Sequence, residues 1–295
     1  MVNKTEKNGL LPEPGAGKKV SRAGSKILFS DMDGTLLKDD STVSEGTKRA
    51  LDRMTAAGCR LVLTSGRPLD SMLEVMKEAG LFYPDTLLIA YNGSLIYDCT
   101  ARTPLLSWPV PFSVCRGIAE TARRLGIHYQ TYTEHEIVCE REDEEVRYYR
   151  RRIHLPLLLS PDPISVLSSP PYKMHAIHLT DHGKLEELKK EVEKLYPDEI
   201  TVQFSNSQYL EFFHKKAGKG NAILQVCRYF SIPVKNSFAA GDAPNDISML
   251  EAAGCGIAMK NADPLVKESA DYVTRFDNEQ DGLADAIEAL ILKEG

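Results

Sequence analysis

The sequence predicts an α/β fold: a doubly wound, mostly parallel sheet interrupted by an inserted α+β cap domain. Two observations carry this. Short apolar runs alternate with amphipathic helical patterns over residues 26–98 and again over 215–295, the order of a parallel sheet wound right-handedly with helices on its faces. Between residues 99 and 214 the texture changes to hairpin-like and irregular stretches. The expected organisation is a loose tail at 1–25, a sheet domain built from 26–98 and 215–295, and a cap at 99–214.

After a tail rich in Gly, Lys, Glu and Pro, KILFS (26–30) reads as the first strand. SEGTKRALDRMTAAG (44–58) sets Thr47, Ala50, Leu51 and Met54 on one helical face, with Ser44 as N-cap and Gly58 as stop. RLVLTS (60–65) is a second strand, and RPLDSMLEVMKEAG (67–80) a helix with Pro68 in its first turn and Gly80 closing it. TLLIAY (86–91) is the third strand. In the insert, HYQTYTEHEIVCE (128–140) reads as a hairpin, EDEEVRYYRRRIH (142–154) as a helix and SPDPISVLSSPP (160–171) as irregular chain. YKMHAIHLT (172–180) is a strand, KLEELKKEVEKLY (184–196) a solvated helix and EITVQFSNSQYLEFF (199–213) a second hairpin. The first texture returns with GKGNAILQVCRYFSI (218–232), a helix opening on glycine and lysine. SFAAGD (237–242) is a strand ending in an acid, NDISMLEAAG (245–254) a helix, and CGIAM (255–259) and ADYVT (270–274) are strands.

The composition excludes several function classes. A net charge of −6 gives no basic field for nucleic acid or an anionic membrane, so a phosphorylated ligand must be recruited by local positive charge or a metal. Six cysteines with neither CxxC spacing nor histidine pairing argue against zinc and for reduced thiols in a cytoplasmic protein. No apolar run approaches the roughly 18 residues of a membrane span, and the N-terminus lacks the apolar core of a signal peptide. PEPGAGKKV in the tail is a P-loop in outline only: Pro12 stands where the motif needs glycine and Lys19 where it needs Ser or Thr.

Parallel sheets hold ligands at the carboxyl ends of their strands. Asp31, Ser65 and Asn92 fall there. Each fragment has an ordinary reading: Asp-x-Asp as a turn or helix cap, Ser65-Gly66 as a tight turn, Lys219 as a solvated side chain. Together, DMDGT (31–35), TSGR (64–67), the lysine of GKGNA (218–222) and GDAPNDISML (241–250) resemble the four signature motifs of the haloacid dehalogenase (HAD) superfamily, in order. More narrowly they resemble the Cof-type phosphatases of HAD subfamily IIB, whose cap lies between the second and third motifs. YNGS (91–94), EFFHKKAGKG (211–220) and AMKNADPLVKESADYVT (258–274) fit the same pattern, so the resemblance covers essentially everything beyond the tail.

What the resemblance implies is a HAD-like Rossmannoid core and a Mg²⁺-dependent phosphatase. It would hydrolyse small phosphorylated metabolites, sugar phosphates foremost, through an aspartyl-phosphate intermediate. Asp31 would be the nucleophile, and Asp33 would protonate the leaving alkoxide and then accept a proton from the hydrolytic water. Mg²⁺ would bind the Asp31 and Asp242 carboxylates and the Asp33 backbone carbonyl, with Asp246 in support. The phosphate would meet Met32, the Ser65 hydroxyl, the Gly66 N–H, Lys219 and Asn245. Lys215 and Lys216 are rivals of Lys219, but the Lys-Gly pair opening a helix favours Lys219. Asn245 and Asp246 also read as caps of the following helix, a compatible role. Arg67 and Asn92 are candidate substrate contacts, and Arg67 reads equally as a brace for its loop.

In the cap, Tyr132, Glu134, His135, Lys173 and Asn206 are candidates for reading the leaving group. The run Tyr148–Arg152 reads as a solvated face and Trp108 as packing. The alternatives are a phosphosugar mutase and a non-catalytic regulator that binds sugar phosphates. A phosphoacceptor signalling domain fits less well, because its aspartate ends a later strand and no lid interrupts its sheet. The expected partner is a small phosphorylated metabolite, with no nucleic acid, no membrane and a monomer by default.

Overall fold

In the computed structural model, Leu11 and residues 25–293 are described; the expected tail, including its P-loop-like stretch, otherwise falls outside them. The first half of the sheet unit contains β1 (Ile27–Asp31), α1 (Glu45–Ala56), β2 (Arg60–Thr64), α2 (Leu69–Ala79) and β3 (Leu87–Ala90). Ser44 caps α1 by accepting the Thr47 N–H at 3.0 Å, and Gly80 ends α2 in the left-handed conformation. Two strands that the sequence did not announce follow, β4 (Leu95–Asp98) and β5 (Thr103–Ser107). Both pair antiparallel, so the change of texture near residue 99 marks a switch in pairing direction, and the same sheet continues to Ser107.

The insert then builds α3 (Phe112–Leu125), β6 (His128–Tyr132), β7 (Ile137–Cys139), α4 (Glu144–Tyr149), β8 (Leu157–Leu159), β9 (Lys173–Ile177), α5 (His182–Leu195), β10 (Ile200–Asn206) and β11 (Tyr209–His214). The helix expected over 142–154 is six residues long. Arg147 and Arg151 would stand one turn apart with like charge, and Ile153 and Leu155 turn inward to be buried instead. The helix expected to be solvated buries Leu185, Leu188 and Val192 against the cap sheet. The chain closes with α6 (Lys219–Tyr229), β12 (Ser237–Gly241), α7 (Ile247–Ala252), β13 (Cys255–Ala258), α8 (Pro264–Glu268), β14 (Tyr272–Val273) and α9 (Gly282–Ala286). The helix expected from 245 starts as a 3₁₀ turn over Pro244–Asp246.

The main sheet is ordered β14-β13-β12-β1-β2-β3-β4-β5, and the cap sheet β10-β11-β9-β6-β7-β8. β1 is buried at every position and pairs in parallel with both β2 and β12. Winding runs outward from β1 in both directions, so the switch point, where such sheets hold ligands, lies at its carboxyl end. One apolar cluster joins the main sheet to the facing side of the cap; a second fills the space between the cap sheet and α3 and α5. Among the described residues no helix is long and apolar enough to cross a membrane.

Candidate active site

Asp31 is the last residue of β1 and is only 6% exposed. Lys219 opens α6 with its ammonium 2.5 Å from Asp31 Oδ1 and 2.6 Å from Asp246 Oδ1. The other Asp246 oxygen accepts the N–H groups of Asp242 and Ala243, each at 3.1 Å, which fixes the loop after β12. The Thr35 hydroxyl donates to Asp242 Oδ1 at 3.0 Å. Lys215 and Lys216, the rivals of Lys219, are exposed; Lys216 lies over the ring of Trp108, which stacks on His214.

The carboxylate oxygens of Asp31, Asp242 and Asp246 lie within 4.8 Å of one another, a group that can hold a metal ion. Burial, reinforced by the charge of Asp246, raises the Asp31 carboxyl well above its ordinary value despite Lys219. Burial and Asp246 push Asp242 up to about 7. Burial works against the Lys219 ammonium, but Asp246 and Asp31 outweigh it and raise its pKa. One ammonium thus faces three carboxylates, and the surplus negative charge with its all-oxygen donor set fits a hard divalent cation. Gly34 adjoins this cluster at φ +78, and an added Cβ would collide with the Asp242 carboxylate. Gly34→Ala should therefore displace Asp242 and weaken divalent-cation affinity at least about tenfold, read as a higher cation concentration for half-maximal activity.

The second wall follows β2. Ser65 is 3% exposed, its N–H donates to the Ile89 carbonyl at 2.9 Å, and its hydroxyl accepts the Arg67 N–H at 3.1 Å. Among the described residues no acceptor engages the Gly66 N–H, which leaves it for a ligand. Arg67 grips Asp33 with two parallel bonds, Nε to Oδ2 at 2.7 Å and Nη2 to Oδ1 at 2.6 Å. Burial would raise the Asp33 carboxyl, but this pairing outweighs it and holds the group below the usual carboxylate range.

Asp31, Asp33, Ser65, Gly66, Arg67 and Asp242 form the floor of a cleft of about 300 Å³ whose roof is the cap; Lys219 and Asp246 are buried against that floor and do not line it. Asn245 borders it, whereas the Met32 side chain is fully buried in the core, so only its main chain can serve a ligand. Asn92, a candidate substrate contact, is buried outside the cleft lining and donates its amide to Glu211. Of the cap candidates, Lys173 and Asn206 border the cleft. Tyr132, Glu134 and His135 border a separate one beside α2, where His135 pairs with Asp70 at 2.5 Å. The run read as a solvated face is corrected: Tyr149 is buried, and it and Arg152 line the active cleft.

Ser205, Tyr209, Glu211 and His175 complete the roof and were missed. Lys173 and His175 share one face of β9, and Glu211 stands opposite His175 in register. Polar residues at i and i+2 within otherwise apolar strands were the available signal. His175 is held neutral, burial and then Lys173 lowering its pKa well below the ordinary histidine value, and among the described residues its Nε2 has no hydrogen-bond partner.

A profile of haloacid dehalogenase-like hydrolases matches residues 28–287. The chain belongs to that family. This HAD hydrolase is similar to a Haemophilus influenzae protein, 32% identical over 277 residues that span 91% of this chain and 97% of the relative. A haloacid dehalogenase-like hydrolase from Bacteroides thetaiotaomicron superposes with a TM-score of 0.82 at 29% identity, covering 90% of this chain and 99% of that one. The HAD subclass IIB sugar phosphatase BT4131 superposes with a TM-score of 0.76 at 25% identity, covering 90% and 98%. The chain is a Cof-type, subclass IIB member, an α/β Rossmannoid core carrying a cap. The aspartate cluster and family membership make this HAD hydrolase a phosphatase of small phosphorylated metabolites.

Proposed function

We propose that this phosphatase hydrolyses sugar phosphates with Mg²⁺ through an aspartyl phosphate on Asp31. The observation that carries the reading is the meeting of Asp31 and Asp33 on one cleft floor, with Lys219 buried against Asp31, beneath a roof of hydroxyl, amide and aromatic groups. Asp31 attacks phosphorus and the bond to the leaving oxygen breaks, while Asp33 gives that oxygen its proton. Water then attacks the aspartyl phosphate, Asp33 takes the water's proton, and orthophosphate leaves with Asp31 restored. Before substrate arrives, Arg67 holds Asp33 ionised; the incoming dianion competes for that guanidinium, and the freed carboxylate takes from solvent the proton that it gives to the leaving oxygen. Ser65, the Gly66 N–H, the main chain at Met32, Lys219 and Asn245 surround the phosphate. Asp31, Asp242 and the Asp33 carbonyl would hold the Mg²⁺, braced by Asp246, and its charge would offset that of carboxylates and phosphate together.

Two features favour a sugar as the leaving group. Ser205, Asn206 and Tyr209 offer hydroxyl and amide groups to a polyol beside the ring faces of Tyr149 and His175, and the similar BT4131 is named a sugar phosphatase. Phosphate release should be measured from sugar phosphates, nucleotides and cofactor phosphates, with Mg²⁺ and with EDTA. Metal-dependent turnover highest on sugar phosphates is expected. Faster release from nucleotides or cofactor phosphates would refute the substrate class. Phosphate moved to another position of the same sugar, without release, would make the enzyme a mutase.

A further inference from the structure

Three consecutive carbonyls, those of Ser65, Gly66 and Arg67, are each held by a donor from another segment of the chain. The Asn92 N–H takes the Ser65 carbonyl at 3.0 Å and the Tyr91 N–H takes that of Arg67 at 3.1 Å. Tyr91 and Asn92 reach them with φ of 50 and 56, two successive non-glycine residues in the left-handed region. Such a conformation persists only where the surroundings hold it, and it is a pointer to function. The middle carbonyl, that of Gly66, has a different kind of partner: the ammonium of Lys173, a cap residue only 1% exposed, at 2.6 Å. Lys173 is held in turn by Glu211 at 2.8 Å, and the other Glu211 oxygen accepts the amide of Asn92. The loop is pressed against this chain of groups, since a Cβ added at Gly66 would lie 2.8 Å from Asn92 Oδ1 and 3.4 Å from Glu211 Oε1.

We propose that Lys173 and Glu211 of the cap, with Asn92 of the core, are positioning residues that hold the Ser65–Arg67 segment in its phosphate-binding conformation, so that the phosphate site is complete only while the cap is docked. The proposal rests on the reading of Ser65 and Gly66 as the phosphate-binding wall. A peptide unit carries its carbonyl and the following N–H on opposite edges: the Asn92 N–H on the Ser65 carbonyl sets the Gly66 N–H, and Lys173 on the Gly66 carbonyl sets the Arg67 N–H, which the Ser65 hydroxyl accepts. Without Lys173 the Gly66 carbonyl loses its cation, and the peptide it shares with the Arg67 N–H is free to rotate, which releases the Ser65 hydroxyl and leaves an unpaired carbonyl dipole beside the anion. The buried Lys173–Glu211 pair spans the junction and has one partner on the core at each end, Gly66 for the lysine and Asn92 for the glutamate. Lys173, a candidate for reading the leaving group, borders the cleft and also holds this loop.

The probe is inorganic phosphate, which has no leaving group. Its binding is measured by calorimetry with Mg²⁺, beside kcat/KM for p-nitrophenyl phosphate and for a hexose phosphate. Lys173→Met should weaken orthophosphate at least about tenfold and lower kcat/KM for both esters by a similar factor. Lys173→Arg should restore most of the loss. Asn92→Gly keeps the left-handed backbone and the bond to Ser65 but removes the amide; it should weaken orthophosphate several-fold and act non-additively with Lys173→Met. Should Lys173→Met not fold, Asn92→Gly decides alone. Orthophosphate affinity within about twofold of wild type, or a loss confined to the hexose phosphate, overturns the proposal. A wild type that binds orthophosphate and hydrolyses no ester refutes the function proposed above and leaves the positioning role to be judged on orthophosphate binding.

Discussion

Replacing Asp31 with Asn should abolish turnover while leaving the fold intact or firmer. The amide fills the same space at the end of β1 but cannot attack phosphorus, so kcat should fall on the order of 10⁴-fold or more. The stability effect has the opposite sign. The Asp31 carboxyl is raised by burial and by Asp246, so its ionised form is disfavoured in the folded protein. A group of this kind contributes stability that is present below its unfolded pKa of about 3.9 and lost as pH rises through the folded value. In EDTA, Asp31→Asn should therefore match wild type near pH 4 and be more stable by about 1–2 kcal/mol at pH 8, because Lys219 keeps its bond to Asp246. Thermal unfolding across that range checks the sign. Residual kcat within about a hundredfold of wild type would remove Asp31 from the nucleophile's role.

Lys219→Met should damage both activity and stability. The ammonium is 2% exposed and touches two of the three clustered carboxylates. Without it the buried negative charge is uncompensated, and stability at pH 8 should drop by about 3–5 kcal/mol. The loss should shrink as pH falls: Asp242, already raised to about 7 with Lys219 present, is raised further without it, and a raised carboxyl stabilises on protonation. Millimolar Mg²⁺ should recover part of it by supplying the missing charge. Activity should fall about 10²–10³-fold even with saturating metal, because the metal does not replace the fixed cation beside the transferring group. Wild-type kcat in the variant would refute that role. A melting temperature indifferent to both pH and Mg²⁺ would refute the electrostatic account of the cluster.

The floor of the site was legible because its residues are set by short-range order. Asp31 follows a buried strand and Lys219 a glycine that starts a helix. Asp242 follows a buried strand in the same way. A strand next to the switch point has one exit, so a side chain at its end has one destination. The missed parts depend on distant chain. β4 and β5 are short, and one carries Pro104, which suits an edge rather than an interior position. Their pairing with β3 gives them their strand character.

The roof shows the same division. A helical period laid over Tyr148–Arg152 predicts one solvated face, yet the helix ends at Tyr149 and the chain turns inward, placing Tyr149 and Arg152 in the cleft. Lys173, His175 and Glu211 are three polar residues on two strands in the sequence alone. The register of β9 against β11 puts them on one face, and the seating of that face on the core hands Lys173 the carbonyl of Gly66. The sequence by itself determined the parallel strands of the sheet, the carboxylate pair, the lysine and the family, since these follow from residues adjacent in the chain. The tertiary structure alone decided the partner of Arg67, the roof of the cleft and the link between Lys173 and the phosphate loop. Each of these is a contact between segments far apart in sequence, fixed by strand register and by the packing of cap on core rather than by local preference.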